Sequence, residues 1–152
     1  MIFGDLKQLN NKLKWRWLYL KIRTDFVTNS SSVSYIITMN IDRAQDYKYM
    51  YSDFERNPKI KRIYDILYHD LLNDGTRVML EGRELYSKVY TFRTDGDCMT
   101  DDAYDKPINE VDFSSMSDEE LWSYIYGEYF MNSRLGSELK GFGSIEVLGD
   151  NK

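Results

Sequence analysis

Hydrophobic and polar positions along this chain repeat with two different periods. Val33, Tyr35, Ile37, Met39 and Ile41 alternate with Ser34, Ile36, Thr38 and Asn40, and a period of two rich in β-branched residues predicts a strand. Elsewhere the period is helical. Leu6, Leu9, Leu13, Trp17 and Leu20 recur on one face near the start, flanked by basic residues, with Asp5 placed to cap the helix. Ile60, Ile63, Tyr64, Leu67 and Leu71 form a second stripe, opened by Pro58 at a first helical position and closed at Asn73-Asp74-Gly75. The stretch from Asp42 to Pro58 fits both periods: Tyr47, Tyr49 and Tyr51 alternate, whereas Tyr47, Met50, Tyr51 and Phe54 share a helical face. Asp42 as a cap and Asn57-Pro58 as a stop favour the helix.

Two runs of strand-forming composition, from Thr76 and from Arg83, are separated by Glu81-Gly82 and predict a hairpin. Asp95 to Asp112 turns polar and acidic, which reads as a loop. Ser117 then supplies an N-cap, Glu120 completes a capping box, and Met116 and Leu121 are placed for a hydrophobic staple. Trp122, Ile125, Tyr126, Tyr129 and Phe130 are the expected buried face of that helix, and a short strand follows Gly141 and Gly143. The order predicts a single α+β domain: a mixed or antiparallel sheet of about four strands with three or four helices on one face. Residues 1–23 are expected to form a basic amphipathic helical arm, and residues 24–152 an acidic α+β domain.

Composition agrees with a folded chain. With 152 residues, 42% hydrophobic and 30% charged, it has the size of one domain and the apolar content to bury a core. Cys98 is the only cysteine, so no disulfide forms within the chain. No apolar run is long enough to cross a bilayer, and the stretch around Trp15 to Ile22 is broken by Arg16 and Lys21, unlike a signal peptide. The expected location is cytoplasmic. Charge is divided unevenly: residues 1 to 23 hold six basic side chains against Asp5 alone, and the remainder fourteen basic against twenty-four acidic. A basic arm on an acidic body either meets an outside anion or lies against its own body.

Candidate chemistry is sparse. His69, the only histidine, sits near the end of the second helix, where the helix dipole favours it without catalysis. Cys98 lies among Asp95, Asp97 and Asp101, whose charges disfavour a nucleophilic thiolate. One Cys and one His exclude the usual structural zinc site within one chain. Asp95 to Asp105 is a dense carboxylate cluster, but an EF-hand counted from Asp95 fails at Met99, Thr100 and Lys106. The serine patch Ser30 to Ser32, after Asn29, lacks the glycines and lysine of a P-loop and reads as a turn. No catalytic residue, metal ligand or cofactor is assigned.

The stretch "KIRTDFVTNSSSVSYII", Lys21 to Ile37, resembles the opening of a loose group of small bacterial and mobile-element proteins. It departs from that group in Val33, which interrupts the serine run, and in the basic arm that precedes it. The resemblance implies a bacterial or phage source and no mechanism.

What remains is a surface. Tyr49, Tyr104 and Tyr124 fall off the packing stripes, and with Asp95, Asp97, Asp101, Asp102 and Asp105 they make an acidic, tyrosine-rich patch suited to a protein partner. Negative charge of this kind imitates a phosphate backbone and would fit the basic channel of a nucleic-acid-processing enzyme, as anti-CRISPR inhibitors do. The first expectation is therefore a non-enzymatic interaction protein. A second has Lys12, Lys14, Arg16 and Lys21 meeting the phosphates of nucleic acid or an anionic membrane, with Trp15 stacking on a base or resting among headgroups. A third is an enzyme holding a divalent metal on Asp97, Asp101 and Asp102.

Overall fold

The structure, a computed structural model, describes residues 32–95 and 98–147. The basic arm and Asn29 to Ser31 of the serine patch lie outside the described residues. Strand β1 runs Ser32–Asn40 and buries Tyr35, Ile37 and Met39, as its alternation requires. Ile41 does not end this strand. It opens helix α1, Ile41–Met50, whose N-cap is Asn40: the Asn40 side chain accepts from the Arg43 N–H at 3.2 Å. Asp42 is not the cap, because a cap needs extended backbone, which Asn40 has, whereas Asp42 already lies in the first turn and there complements the helix dipole.

Helix α1 also stops early. Tyr51 bonds back to the Tyr47 carbonyl at 2.9 Å and leaves the helix with extended backbone. Phe54 reaches the core from a separate 3-10 turn, Phe54–Arg56, and Met50, expected on the buried face, is 81% exposed. Helix α2, Pro58–Asp74, matches its pattern closely, with Asn57 accepting from the Ile60 N–H at 3.1 Å and all five stripe residues buried. Each such burial contributes roughly 1.5–3 kcal/mol.

Strands β2, Thr76–Leu80, and β3, Arg83–Arg93, pair antiparallel with Val78 opposite Leu85. Their turn is Glu81-Gly82, with φ of 50° and 79°, the left-handed pair that a tight two-residue hairpin demands. Helix α3, Asp118–Tyr124, starts on the Ser117–Glu120 capping box and continues as a wider π-helical turn over Ile125–Phe130. Helix α4, Leu135–Glu138, and strand β4, Phe142–Val147, complete the fold. The sheet is antiparallel, in the order β2-β3-β1-β4.

Two compact units emerge. The larger, among the described residues 36–89 and 98–146, holds the helices and the core. There the Tyr64 ring meets Phe142 edge-on at 5.6 Å, and its hydroxyl donates to the Ala44 carbonyl at 2.8 Å. The described part of the other comprises residues 32–35, 90–95 and 147. In it Tyr35 lies 6.3 Å from Phe92, and the Ser34 and Thr91 hydroxyls are 2.8 Å apart. No helix among the described residues is long and apolar enough to cross a membrane.

Candidate functional site

From Asp95 to Glu120 the sequence holds ten acidic residues and one basic, Lys106. Such a segment repels itself, so its shape depends on what fastens it. Its far end is held from α2, where Arg62 donates to the Phe113 carbonyl at 3.0 Å and the Met116 carbonyl at 2.5 Å, and its near end by α3 and the π-helical turn. Met131 N–H reaches the Tyr126 carbonyl at 3.0 Å and Arg134 N–H the Tyr129 carbonyl at 2.9 Å, both bonds spanning five residues. The acidic segment crosses this turn at Gly127, where a Cβ would lie 2.3 Å from the Met99 carbonyl oxygen and 2.9 Å from Cys98 Sγ. Only a residue without a side chain allows that approach. Met99 N–H donates to the Ser123 carbonyl at 3.2 Å, Asp101 N–H to Glu128 Oε2 at 3.2 Å, and Tyr124 O–H to Asp101 Oδ1 at 2.6 Å.

Glu128 itself is 6% exposed, and a buried carboxylate needs a partner. Arg134 Nη1 donates to it at 2.6 Å and also pairs with Glu138. Glu138 accepts from Tyr129 O–H at 2.6 Å, with Lys59 Nζ 3.7 Å away and 5.4 Å from the Tyr129 ring. Burial, and then the hydrogen bond to Asp101, push the Tyr124 hydroxyl well above the ordinary tyrosine range; burial and the bond to Glu138 do the same at Tyr129. Both stay protonated and act as donors.

The expected site residues separate accordingly. Tyr124 is fully buried and cannot meet a partner, a correction that follows from which face α3 buries: Leu121 and Tyr124, three residues apart, point inward together with Ile125, and Trp122 is only half-buried. Asp101 is committed to Tyr124, while Asp102 and Asp105 are exposed. The Tyr104 ring packs against Phe113 at 6.4 Å and Tyr124 at 6.0 Å. Its hydroxyl oxygen is buried without a hydrogen bond, and burial, with the charges of Glu120 and Asp101, raises its pKa. Tyr49 is 84% exposed on α1, and no ring contact, hydrogen bond or ion pair among the described residues joins it to the acidic segment. Asp95 belongs to the other unit, where Arg93 holds it by two hydrogen bonds of 2.9 and 2.8 Å and keeps its carboxyl below the usual range. Asp97 lies outside the described residues, as do Lys12, Lys14, Trp15, Arg16 and Lys21.

Cys98 is exposed. His69 lies more than a turn before the end of α2, not in its last turn, and its Nδ1–H donates to the Asp65 carbonyl at 2.9 Å. Among the described residues no three His, Cys, Asp or Glu side chains gather to hold a metal ion. Sequence reasoning missed two groups: the Glu128–Arg134–Glu138 network, signalled only by the charge of Glu128 inside an apolar helical stretch, and a convergence of Arg43, Arg83 and Lys140 from distant elements. No family model matches the chain, and no curated protein or solved structure is similar to it.

Proposed function

We propose that this chain is a non-enzymatic interaction protein of the cytoplasm whose acidic segment occupies a basic surface on a protein partner. One observation carries the reading: Asp102, Asp105, Glu110 and Glu119 are exposed and have no ion pair among the described residues, on a segment anchored at Met99 and Asp101 to α3 and the π-helical turn and at Phe113 and Met116 to Arg62 of α2. Unpaired charge steers association, and fixed backbone lowers the ordering cost of binding. A surface shaped for phosphates complements it best, so the partner class is a nucleic-acid-processing enzyme and the role that of an inhibitor, of the kind phages and mobile elements carry. A tagged full-length chain incubated with bacterial lysate is expected to retain a protein partner that survives nuclease and is released by raised salt. Material that disappears on nuclease treatment would overturn the reading and favour the basic arm, Lys12 to Lys21, as the binding element.

A further inference from the structure

In a chain of net charge −5, cations usually find carboxylates. Arg56, Lys59, Lys61, Arg62, Arg77, Lys88, Arg93 and Arg134 all do. Arg43, Lys48, Arg83, Lys106 and Lys140 have no ion pair among the described residues, and three of these five, Arg43, Arg83 and Lys140, line one open groove of about 510 Å³. They arrive from separate places: Arg43 from the first turn of α1, Arg83 from the start of β3, and Lys140 from the turn before β4. The single acid on the wall is Asp46, and Tyr47, Tyr51 and Met50 supply its apolar side. A neighbouring depression of about 360 Å³ shares Arg43 and Lys140 and is lined by Gly136, Gly141 and Gly143, which present bare backbone beside those two cations.

The backbone holds this arrangement. Gly141 has a φ of +96°, and a Cβ there would lie 2.5 Å from the Ala44 nitrogen. Its carbonyl accepts from the Asn40 N–H at 2.8 Å, so the turn bearing Lys140 is fastened to the start of α1 beside Arg43.

We infer that this groove is an anion site that takes a phosphorylated small molecule of the nucleotide class, with Arg43, Arg83 and Lys140 on its phosphates and Tyr51 and Met50 beside its apolar body. Three cations against one acid leave a local charge of about +2, which a single carboxylate would not neutralise and a phosphate with roughly −1.5 to −2 does. Arginine forks match phosphate oxygens in pairs, lysine adds a point charge, and the groove volume lies within the range of small-molecule sites. This site is separate from the acidic segment, and its test does not depend on any protein partner.

Isothermal titration calorimetry of the full chain with ADP, inorganic pyrophosphate and adenosine tests it. Saturable ADP binding is expected, weakened about tenfold or more by the Arg43→Gln/Lys140→Gln double variant and unchanged by Lys106→Gln, a substitution in the acidic segment. ADP tighter than pyrophosphate identifies the nucleotide as the ligand; equal affinities keep the phosphate site and assign it to free polyphosphate. No saturable binding of either, equal loss with Lys106→Gln, or adenosine binding as tightly as ADP would overturn the proposal. The altered side chains are exposed, and circular dichroism confirms that each variant is folded.

Discussion

Glu138 is partly buried, and burial alone would disfavour its charge, but hydrogen bonds from Tyr129 and Arg134, with the charge of Lys59 close by, outweigh it and hold the carboxyl below its ordinary 4.5. A carboxyl whose folded pKa lies below its unfolded value stabilises the fold fully above the unfolded value and loses that contribution as pH falls through the folded one. Stability is therefore expected to decline as pH drops below about 4.5, and Glu138→Gln to be less stable at neutral pH and to decline less steeply on acidification. Urea unfolding midpoints measured from pH 7 to pH 3 check this; parallel declines in the two proteins would contradict it. The tyrosines beside it serve as neutral donors. Burial, with Tyr51 and Glu138 close by, pushes Tyr47 up to about 12, so its hydroxyl donates to the Glu138 carbonyl at 2.9 Å across the whole physiological range.

Among the elements, the π-helical turn after α3 seats the near end of the acidic segment, and Arg62 of α2 its far end. Gly127→Ala would place a methyl group 2.3 Å from the Met99 carbonyl oxygen, a backbone atom that cannot swing aside as a side chain can, and overpacking of that kind costs about 1–3 kcal/mol. Chemical denaturation of Gly127→Ala should show a loss in that range; a change below about 0.5 kcal/mol would mean that the segment does not lie on the turn. This glycine was invisible in the sequence, because nothing in the helical pattern tells which loop crosses it. Other elements were legible because their signals are local. All five buried positions of α2, the Ser117–Glu120 box and the Glu81-Gly82 hairpin follow from spacing and side-chain type within a few residues. The readings at Met50 and Tyr124 failed for different reasons: the first assumed that α1 continued past Met50, where it stops, and the second placed the buried stripe of α3 on Trp122, whereas Leu121 and Tyr124 face inward.

For the whole molecule, charge is the organising property. The acidic run was legible, since it is contiguous, whereas the basic groove was not, since Arg43, Arg83 and Lys140 meet only through the fold. The packing also divided the expected partner-binding residues by role: Asp101 and Tyr124 hold the segment in place, and Asp102 and Asp105 face solvent. Long-range attraction from such exposed charges scales with their number and is screened by salt. On the proposed reading this exposed charge is what engages a protein partner. The most direct test of that reading is to compare, as baits in nuclease-treated lysate, the full chain and the Asp102→Asn/Asp105→Asn/Glu110→Gln/Glu119→Gln variant, with retained partner quantified over a series of salt concentrations. The variant is expected to lose most of the partner at low salt, with residual binding that depends little on salt. Equal retention by the two baits at every salt concentration would contradict it.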